Sequence, residues 1–379
     1  MRFLENDRQT CERLLPGLLP SLSEIPLSTL EAEKGPGIEL FRSHGGTNLL
    51  VPQAYGGLGA NALEGVRVMR ALAGVAPSMT VATMMHHFSV GTLYAVADAV
   101  GEGNGLDDLL LKRVATDRML VASGFAEGRT GQGILTPQIE ARPAKGGYVI
   151  SGSKKPCSLA RSMDLLTASV GIRDDNGELG MGLLMLPANT KGVSVHPFWS
   201  TFALAGAESH EVRLNKVFVT DEQIIKPDPE LAEAMNELTT VGLIWFQMSV
   251  CAAYTGVVSA LVDQVLTRGR GSVSDRASLV VGVETAAALT EGLARRMEDG
   301  DVDNDGLAAS LVTRFAVQDV LVRTTGQAVE LLGGMAYVSS SDVAYLAAAS
   351  HAIAFHPPSR TSVAESLVDY YGGGPLVVQ

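Results

Sequence analysis

Histidines suited to proton transfer occur at two places in this sequence. His356 ends an alanine-rich helical pattern, and Pro357 directly after it stops the helix. His86 and His87 are neighbours on a methionine-rich helical segment, and because neighbouring helical residues point about 100° apart, at most one of them can face a given pocket. An imidazole with a pKa of about 6.5 exchanges protons near neutral pH. His356 and one of the pair are therefore candidate catalytic residues, the alternatives being an exposed histidine at a helix end and satisfied core histidines.

Other reactive side chains give weaker indications. Ser158 follows a strand-like run and is preceded by Cys157, which would need an activating base to act as a nucleophile. No such base is visible in the sequence, so Cys157 is interpreted as structural. Segment 301–306 begins like a calcium loop, but Val312 stands where that loop requires a glutamate. No metal site is predicted.

The composition indicates an acidic protein with a large core. The 379 residues are 46% hydrophobic and carry a formal net charge of -12, which argues against a nucleic-acid partner because phosphates require clustered Lys and Arg. Three widely spaced cysteines form no disulfide framework, which fits the cytoplasm. The amino terminus has no apolar signal segment. Segment 241–262 has no charge and is long enough to cross a bilayer, but its polar side chains and the absence of a basic flank predict a buried helix and no membrane partner.

The periodicity of apolar residues changes twice along the chain. Residues 1–117 show helical spacing, residues 118–225 show short alternating runs separated by turn residues, and residues 226–379 return to helical spacing. Gly146 and Gly147 lie between two alternating runs and indicate a hairpin. The sequence therefore predicts an α+β protein with a helical domain, a β-domain and a helical bundle in that order.

Three motifs carry a resemblance to a known family. AVELLGG at 328–334, VPQAYGGLGA at 51–60 and GYVISGSK at 147–154 resemble segments of the acyl-CoA dehydrogenase superfamily, and the resemblance extends over about residues 50–366. It implies an amino-terminal α-helical domain, a central β-barrel or sandwich domain and a carboxy-terminal four-helix bundle, with flavin bound between them. It also implies a homodimer or homotetramer assembled through the bundle.

The catalytic base of the family's dehydrogenases is missing. Many of them place a glutamate in the loop where this chain has His356, and others place it in the first long helix of the bundle, where this chain has Phe246 and Gln247. The sequence is similar instead to a side branch of reduced-flavin monooxygenases resembling dibenzothiophene monooxygenase. In that branch, histidines from the helix of His86 and His87 and from the carboxy-terminal loop surround the reactive edge of the flavin.

The resemblance also implies residues that bind the cofactor, which would be FAD or FMN. Ser158 aligns with a hydroxyl residue near the flavin N5, and Ser123 aligns with a threonine that bonds the flavin ring. Arg129 or Thr130 falls at a phosphate contact, and Arg268 at the pyrophosphate. The remaining implied residues are those of the LGG turn, namely Glu330, Gly333 and Gly334.

Three functions follow from these observations. The leading hypothesis is a flavin-dependent monooxygenase that acts on a small or medium organic substrate and receives reduced flavin from a partner flavin reductase. The alternative is an acyl-CoA or acyl-carrier-protein thioester dehydrogenase with His356 as an atypical base, passing electrons to an electron-transfer flavoprotein. The third is a catalytically silent scaffold, which the loss of both glutamate positions would explain.

Overall fold

The chain folds as helices, then strands, then helices, and this order confirms the predicted fold class. The computed structural model describes residues 3–100, 108–129, 133, 135–173, 177–226 and 232–378. The boundaries of the three predicted domains remain a prediction.

Short helices precede two longer ones in the amino-terminal part. Their bounds are α1 Glu5–Leu14, α2 Leu18–Ser23, α3 Leu27–Leu30, α4 Gly37–Ser43, α5 Ala62–Ala73, α6 Pro77–Val100 and α7 Asp108–Thr116. Helix α5 begins with a capping box in which Asn61 and Glu64 satisfy each other's backbone N–H groups. Helix α6 begins at a proline, which suits a first helical position, and the buried carboxylate of Glu31 accepts a hydrogen bond from the Ser78 N–H at 3.0 Å.

Two four-stranded sheets form the middle of the chain. The strands are β1 Val121–Gly124, β2 Ala141–Ala144, β3 Gly147–Cys157, β4 Leu165–Arg173, β5 Leu179–Pro187, β6 Val193–His196, β7 His210–Val219 and β8 Ile224–Ile225. One sheet has the order β1-β4-β5-β8 and the other β2-β3-β7-β6. The predicted hairpin at Gly146 joins β2 to β3, where Ala144 pairs with Gly147. Strand β1 pairs in parallel with β4. Because it comes first in the strand order, it forms an edge of its sheet.

The carboxy-terminal part is built from long helices. They are α8 Ala232–Thr267, α9 Val273–Glu298, α10 Asn304–Ser339, α11 Ser341–His351 and α12 Ala364–Tyr371. Helix α10 is interrupted at Gly333, whose φ of 82° and ψ of 162° are not helical. The break lies in the LGG turn that the family resemblance implies, and only glycine adopts such a conformation readily.

Helix α8 is the central helix of the fold. Two helical stretches in the described ranges, Thr239–Thr267 and Val273–Glu298, are long and apolar enough to cross a membrane. The apolar window of the first is 94% buried inside the protein, so α8 is a core helix, as predicted. The second has an exposed face that carries Glu284, Arg295 and Glu298, and charged groups of this kind are costly in lipid.

Helices α6 and α8 approach each other closely. A Cβ atom added at Gly91 would lie 3.0 Å from the Trp245 ring, and one added at Gly242 would lie 3.0 Å from Thr92. The Phe88 and Phe246 rings meet edge to face across the same contact, 5.4 Å apart. This helix pair forms one side of a cavity that the β-strands close from the other side.

Candidate active site

An apolar cavity lies between the helices and the sheets. Its volume of about 230 Å³ far exceeds the roughly 10–15 Å³ that one water molecule needs, so the cavity can hold an organic group. Helix α6 contributes Met85 and Phe88, α8 contributes Phe246, and the segment between β6 and β7 contributes Trp199. Phe355 lines the same cavity while its side chain is 81% exposed, which places it at the mouth.

The polar end of the cavity is a histidine–tyrosine pair. His356 Nε2 lies 2.8 Å from the Tyr254 hydroxyl, and the two rings are 5.3 Å apart. Phe246 meets the imidazole edge to face at 5.9 Å. His356 and Tyr254 both line the cavity, so the pair can offer a hydrogen bond to a bound molecule.

Two buried side chains hold the turn that carries His356. Gln247 on α8 donates from Nε2 to the Pro357 carbonyl at 3.2 Å. Arg314 on α10 donates from Nη2 to the Ile353 carbonyl, three residues before the histidine. The turn is therefore tied to both long helices, and the position of the imidazole is fixed by the bundle.

The His356 imidazole is uncharged at neutral pH. The surrounding protein atoms, and secondarily the positive charge of Arg314, lower the pKa of His356 to about 3. Burial also raises the pKa of the Tyr254 phenol. The pair is thus two neutral groups that share a hydrogen bond, and His356 is a weak base in this setting.

Hydroxyl groups from the β-strands line the opposite side of the cavity. Ser123 lies on β1 and Thr167 on β4, and Ser158 directly after β3 is 2.9 Å from the Ser209 hydroxyl. Because Ser158 and Ser209 share one hydrogen bond, each keeps capacity for a second partner in the cavity. Ser123 and Ser158, both predicted from the sequence, are therefore brought together with His356 around one space.

A separate polar groove lies on the β-strands. Ala126 and Pro156 line the cavity, and the adjacent Glu127 and Lys155 line the groove. Its cationic side chains are Arg129, Arg142, Lys155 and Lys216. Its two carboxylates are paired with cations, Glu127 with Lys154 and Glu140 with Arg173.

The cavity and the groove together fit a flavin nucleotide. A tricyclic aromatic ring with polar edges suits apolar walls bordered by hydroxyl groups, and the phosphate of its side chain suits the cationic groove. Arg129 lies in this groove and not in the cavity, and its expected contact with the phosphate stays a prediction. Thr130 lies outside the described residues.

The two histidines of α6 do not reach the cavity. His86 is fully buried; its Nε2 lies 2.9 Å from the Thr47 carbonyl and its Nδ1 accepts a hydrogen bond from the Val121 N–H at 3.1 Å. His87 is 1% exposed and packs edge to face on Phe41 at 5.5 Å. Helix α6 turns its other face, with Met85 and Phe88, to the cavity. The geometry therefore gives no support to the expectation that one of the pair takes part in the site.

The other expected cofactor residues lie at the surface, away from the cavity and the groove. Glu330 and Gly334 are exposed on α10 around the Gly333 kink, and Arg268 is exposed between α8 and α9. None of these four residues lines the cavity or the groove. Within one chain, they cannot contact a flavin bound in the cavity.

Cysteine and metal chemistry receive no support from the site. Burial raises the pKa of Cys157 to about 12, so its thiol stays protonated, which agrees with its interpretation as structural. In the part of the chain that the structure describes, no three His, Cys, Asp or Glu side chains are grouped to hold a metal ion.

Several residues of the site could not be chosen from the sequence. Gln247 and Tyr254 lie seven positions apart on α8, and this spacing places them on one face, although Ser249, Thr255 and Ser259 are further polar residues of the same helix. This seven-residue spacing is the feature of the sequence that could have identified Gln247 and Tyr254 as site residues. Arg314, Trp199 and Ser209 gave none, because each lies among ordinary surface or core patterns.

Known proteins similar to this chain agree on one family, although no protein-family model matches it. Isobutylamine N-hydroxylase from Streptomyces viridifaciens is 48% identical over 378 residues, covering 100% of both chains. Dibenzothiophene monooxygenase from Rhodococcus erythropolis is 25% identical over 49% of this chain and 44% of its own length. The FMN-bound structure of TdsC from Paenibacillus sp. A11-2 superposes with a TM-score of 0.82 at 14% identity and covers 99% of both chains.

FAD also occurs in solved structures of this fold. The complex of PigA with FAD and proline has a TM-score of 0.77 at 17% identity, over 98% of this chain and 96% of that one. The end-to-end similarity to an N-hydroxylase confirms the predicted superfamily and favours oxygenation over the thioester-dehydrogenase and silent-scaffold alternatives. The chain belongs to the acyl-CoA dehydrogenase superfamily and, within it, to the flavin-dependent monooxygenases.

Proposed function

We propose that this chain N-hydroxylates a small aliphatic primary amine. The observation that carries the proposal is 48% identity to isobutylamine N-hydroxylase over the whole length of both proteins. The balanced reaction takes the amine, dioxygen, two electrons and two protons to the hydroxylamine and water. One oxygen atom forms the N–O bond, and the other leaves as water.

The shape and polarity of the cavity suit such a substrate. Its walls of Met85, Phe88 and Phe246 would surround a branched alkyl group, and burial of each methylene contributes about 0.8 kcal/mol. The neutral pair of His356 and Tyr254 would receive the nitrogen, because a hydrogen-bond partner is needed only at that end. In this role His356 orients the amine, and Tyr254 orients His356.

The residues of the β-strands would hold the flavin. Ser123, Ser158 and Ser209 would bond polar edges of its ring, and Arg129 with Lys155 would bind the phosphate. When bound in reduced form, the flavin supplies the two electrons and the activation of dioxygen. The apolar walls would exclude water from the reacting atoms.

Reduced flavin would come from a separate flavin reductase. The sequence has no phosphate-binding glycine loop of the nicotinamide-binding type, and an oxygenase supplied with reduced flavin needs none. A cytoplasmic location is part of this proposal, because nicotinamide-driven reduction takes place there. The three cysteines are free thiols, which suits a reducing compartment.

A homodimer or homotetramer is also proposed. Met335 and Val338, next to the α10 kink, are 78% and 81% exposed in the single chain. Apolar side chains grouped in this way favour burial against another copy. The mass measured by sedimentation equilibrium should exceed one chain, and Val338→Asp should lower it.

The proposed reaction is tested with isobutylamine, a flavin reductase, NADH and either FAD or FMN. Mass spectrometry should detect the hydroxylamine, and its oxygen should carry the label when ¹⁸O₂ is supplied. Product should be absent without the reductase or without dioxygen. Flavin reoxidation with hydrogen peroxide as the only product, across straight and branched amines, would contradict amine hydroxylation.

A further inference from the structure

Arg314 is a buried cation without a counter-charge. Its side chain is 1% exposed, and a guanidinium remains protonated in proteins. It donates to the amide oxygen of Gln318 at 3.0 Å and to the Ile353 carbonyl, whereas its Nε has no hydrogen-bond partner. In the part of the chain described, it forms no ion pair with a carboxylate. Burial of an unpaired charge is costly, so this position suggests a function.

The charge lies beside the turn that carries His356, because Arg314 donates a hydrogen bond to the Ile353 carbonyl three residues before the histidine. The positive charge of Arg314 lowers the pKa of Tyr254 and Cys251 on α8 and of His356 on the turn. All three side chains are uncharged. A second guanidinium near Arg314 is that of Arg360, which is paired with Asp319 at the surface. No carboxylate lines the cavity within the described ranges. A cation entering the cavity would meet a positive potential with nothing to offset it.

We propose that Arg314 makes the cavity select its amine in the uncharged form. It does so in two ways: its charge opposes an ammonium group at the polar end, and its hydrogen bond to Ile353 positions His356 to meet a neutral nitrogen. This inference rests on the proposed amine substrate. Selection of the neutral amine serves the reaction, because only an unprotonated amine has the lone pair that forms the N–O bond.

Proton release on binding tests the selection without any turnover. Isobutylamine is titrated by calorimetry at pH 8 into protein saturated with oxidised flavin, in two buffers of different ionisation enthalpy. An alkyl amine with a pKa of about 10.4 is an ammonium ion in solution at this pH. Binding as the neutral base should therefore release close to one proton per amine. The apparent Kd should fall about tenfold for each unit by which the pH is raised toward the pKa of the amine. Isobutanol, which has no proton to lose, should release none.

Variants of Arg314 separate its role from a general effect of the apolar cavity. Arg314→Gln should release clearly fewer protons than the wild type and should show a shallower dependence of Kd on pH. Arg323→Gln changes an exposed arginine on the same helix and should match the wild type.

Each outcome of these titrations tests a different part of the proposal. A wild-type protein that binds the amine with no proton release would overturn the inference, even if hydroxylamine is formed. Equal proton release in the wild type and Arg314→Gln would overturn the assignment to Arg314. Proton release without any hydroxylamine product would instead refute the proposed reaction and leave the selection standing, and failure of the amine to bind would overturn both.

Discussion

The environments of His86 and His356 differ in exposure and in what the ring nitrogens face, since His86 is fully buried and His356 is partly exposed. Both nitrogens of His86 are bonded to backbone groups, the Thr47 carbonyl and the Val121 N–H, so this ring joins α6 to its surroundings. His356 is bonded through one nitrogen to Tyr254 and lies on a cavity wall. In both, the surroundings lower the pKa, to about 4 for His86 and to about 3 for His356.

The comparison shows that a shifted pKa does not identify a catalytic histidine. Desolvation is the largest cause of the shift in both residues, and it acts on any buried imidazole. The distinguishing property is access to a space where a substrate can bind. The following substitutions test this distinction, from the largest expected effect to the smallest.

Replacing His356 should have the largest effect on catalysis. His356→Asn should lower hydroxylamine formation about 100-fold, because even a small misplacement of the reacting nitrogen costs about this much in rate. Oxygen consumption should continue and yield hydrogen peroxide, measured as the ratio of product to oxygen consumed. His351→Asn, at an exposed histidine of α11, is the matched control. An unchanged ratio of product to oxygen in His356→Asn would show that His356 takes no part in the reaction.

Replacing His86 should affect stability instead. His86→Ala leaves the buried Thr47 carbonyl and Val121 N–H without partners, and each such group costs about 1–3 kcal/mol. Urea unfolding should therefore show a loss of roughly 2–6 kcal/mol in the free energy of unfolding. Hydroxylation per folded molecule should stay within about twofold of the wild type. A large loss of turnover with unchanged stability would reverse the two assignments.

Removing the partner of His356 should have an intermediate effect. Tyr254→Phe deletes the hydroxyl that orients the imidazole, and a hydrogen bond worth about 1.4 kcal/mol corresponds to roughly tenfold in rate. The ratio of product to oxygen should fall with little change in the flavin Kd. A value of the ratio equal to that of the wild type would show that Tyr254 does not position His356.

The effect that is smallest at neutral pH concerns the pH dependence of stability, because it develops only below about pH 6.5. Because burial lowers the pKa of His86 from 6.5 to about 4, the unfolded chain binds the proton more readily between those values. The free energy of unfolding should therefore fall as the pH falls through this window, by up to about 1.4 kcal/mol per pH unit from this residue. His86→Gln should give a shallower slope between pH 6.5 and 4. An identical slope would show that His86 already titrates normally in the folded protein.

The amino-acid sequence by itself determined the order of the elements and the family. Periodicities of 3.6 and 2 residues are local properties, so they predict helices and strands without knowledge of their packing. The uncharged stretch of α8 predicted a core helix, and Gly333 marked the break in α10. The motifs around 51–60, 147–154 and 328–334 indicated a flavin enzyme. The alignment with that family named Ser123, Ser158 and His356, which line one cavity, and their roles toward the flavin stay predictions.

The tertiary structure decided which polar side chains face that cavity. His86 and His87 looked as suitable as His356, but the direction of a helical side chain depends on which face its helix buries, and α6 buries its histidines against Thr47 and Phe41. Arg314 and Ser209 reach the site from positions distant in the chain, so no local pattern could select them. Long-range packing places an unpaired guanidinium near a neutral imidazole, and an interaction between groups so far apart in sequence exists only once α8, α10 and the His356 turn have come together.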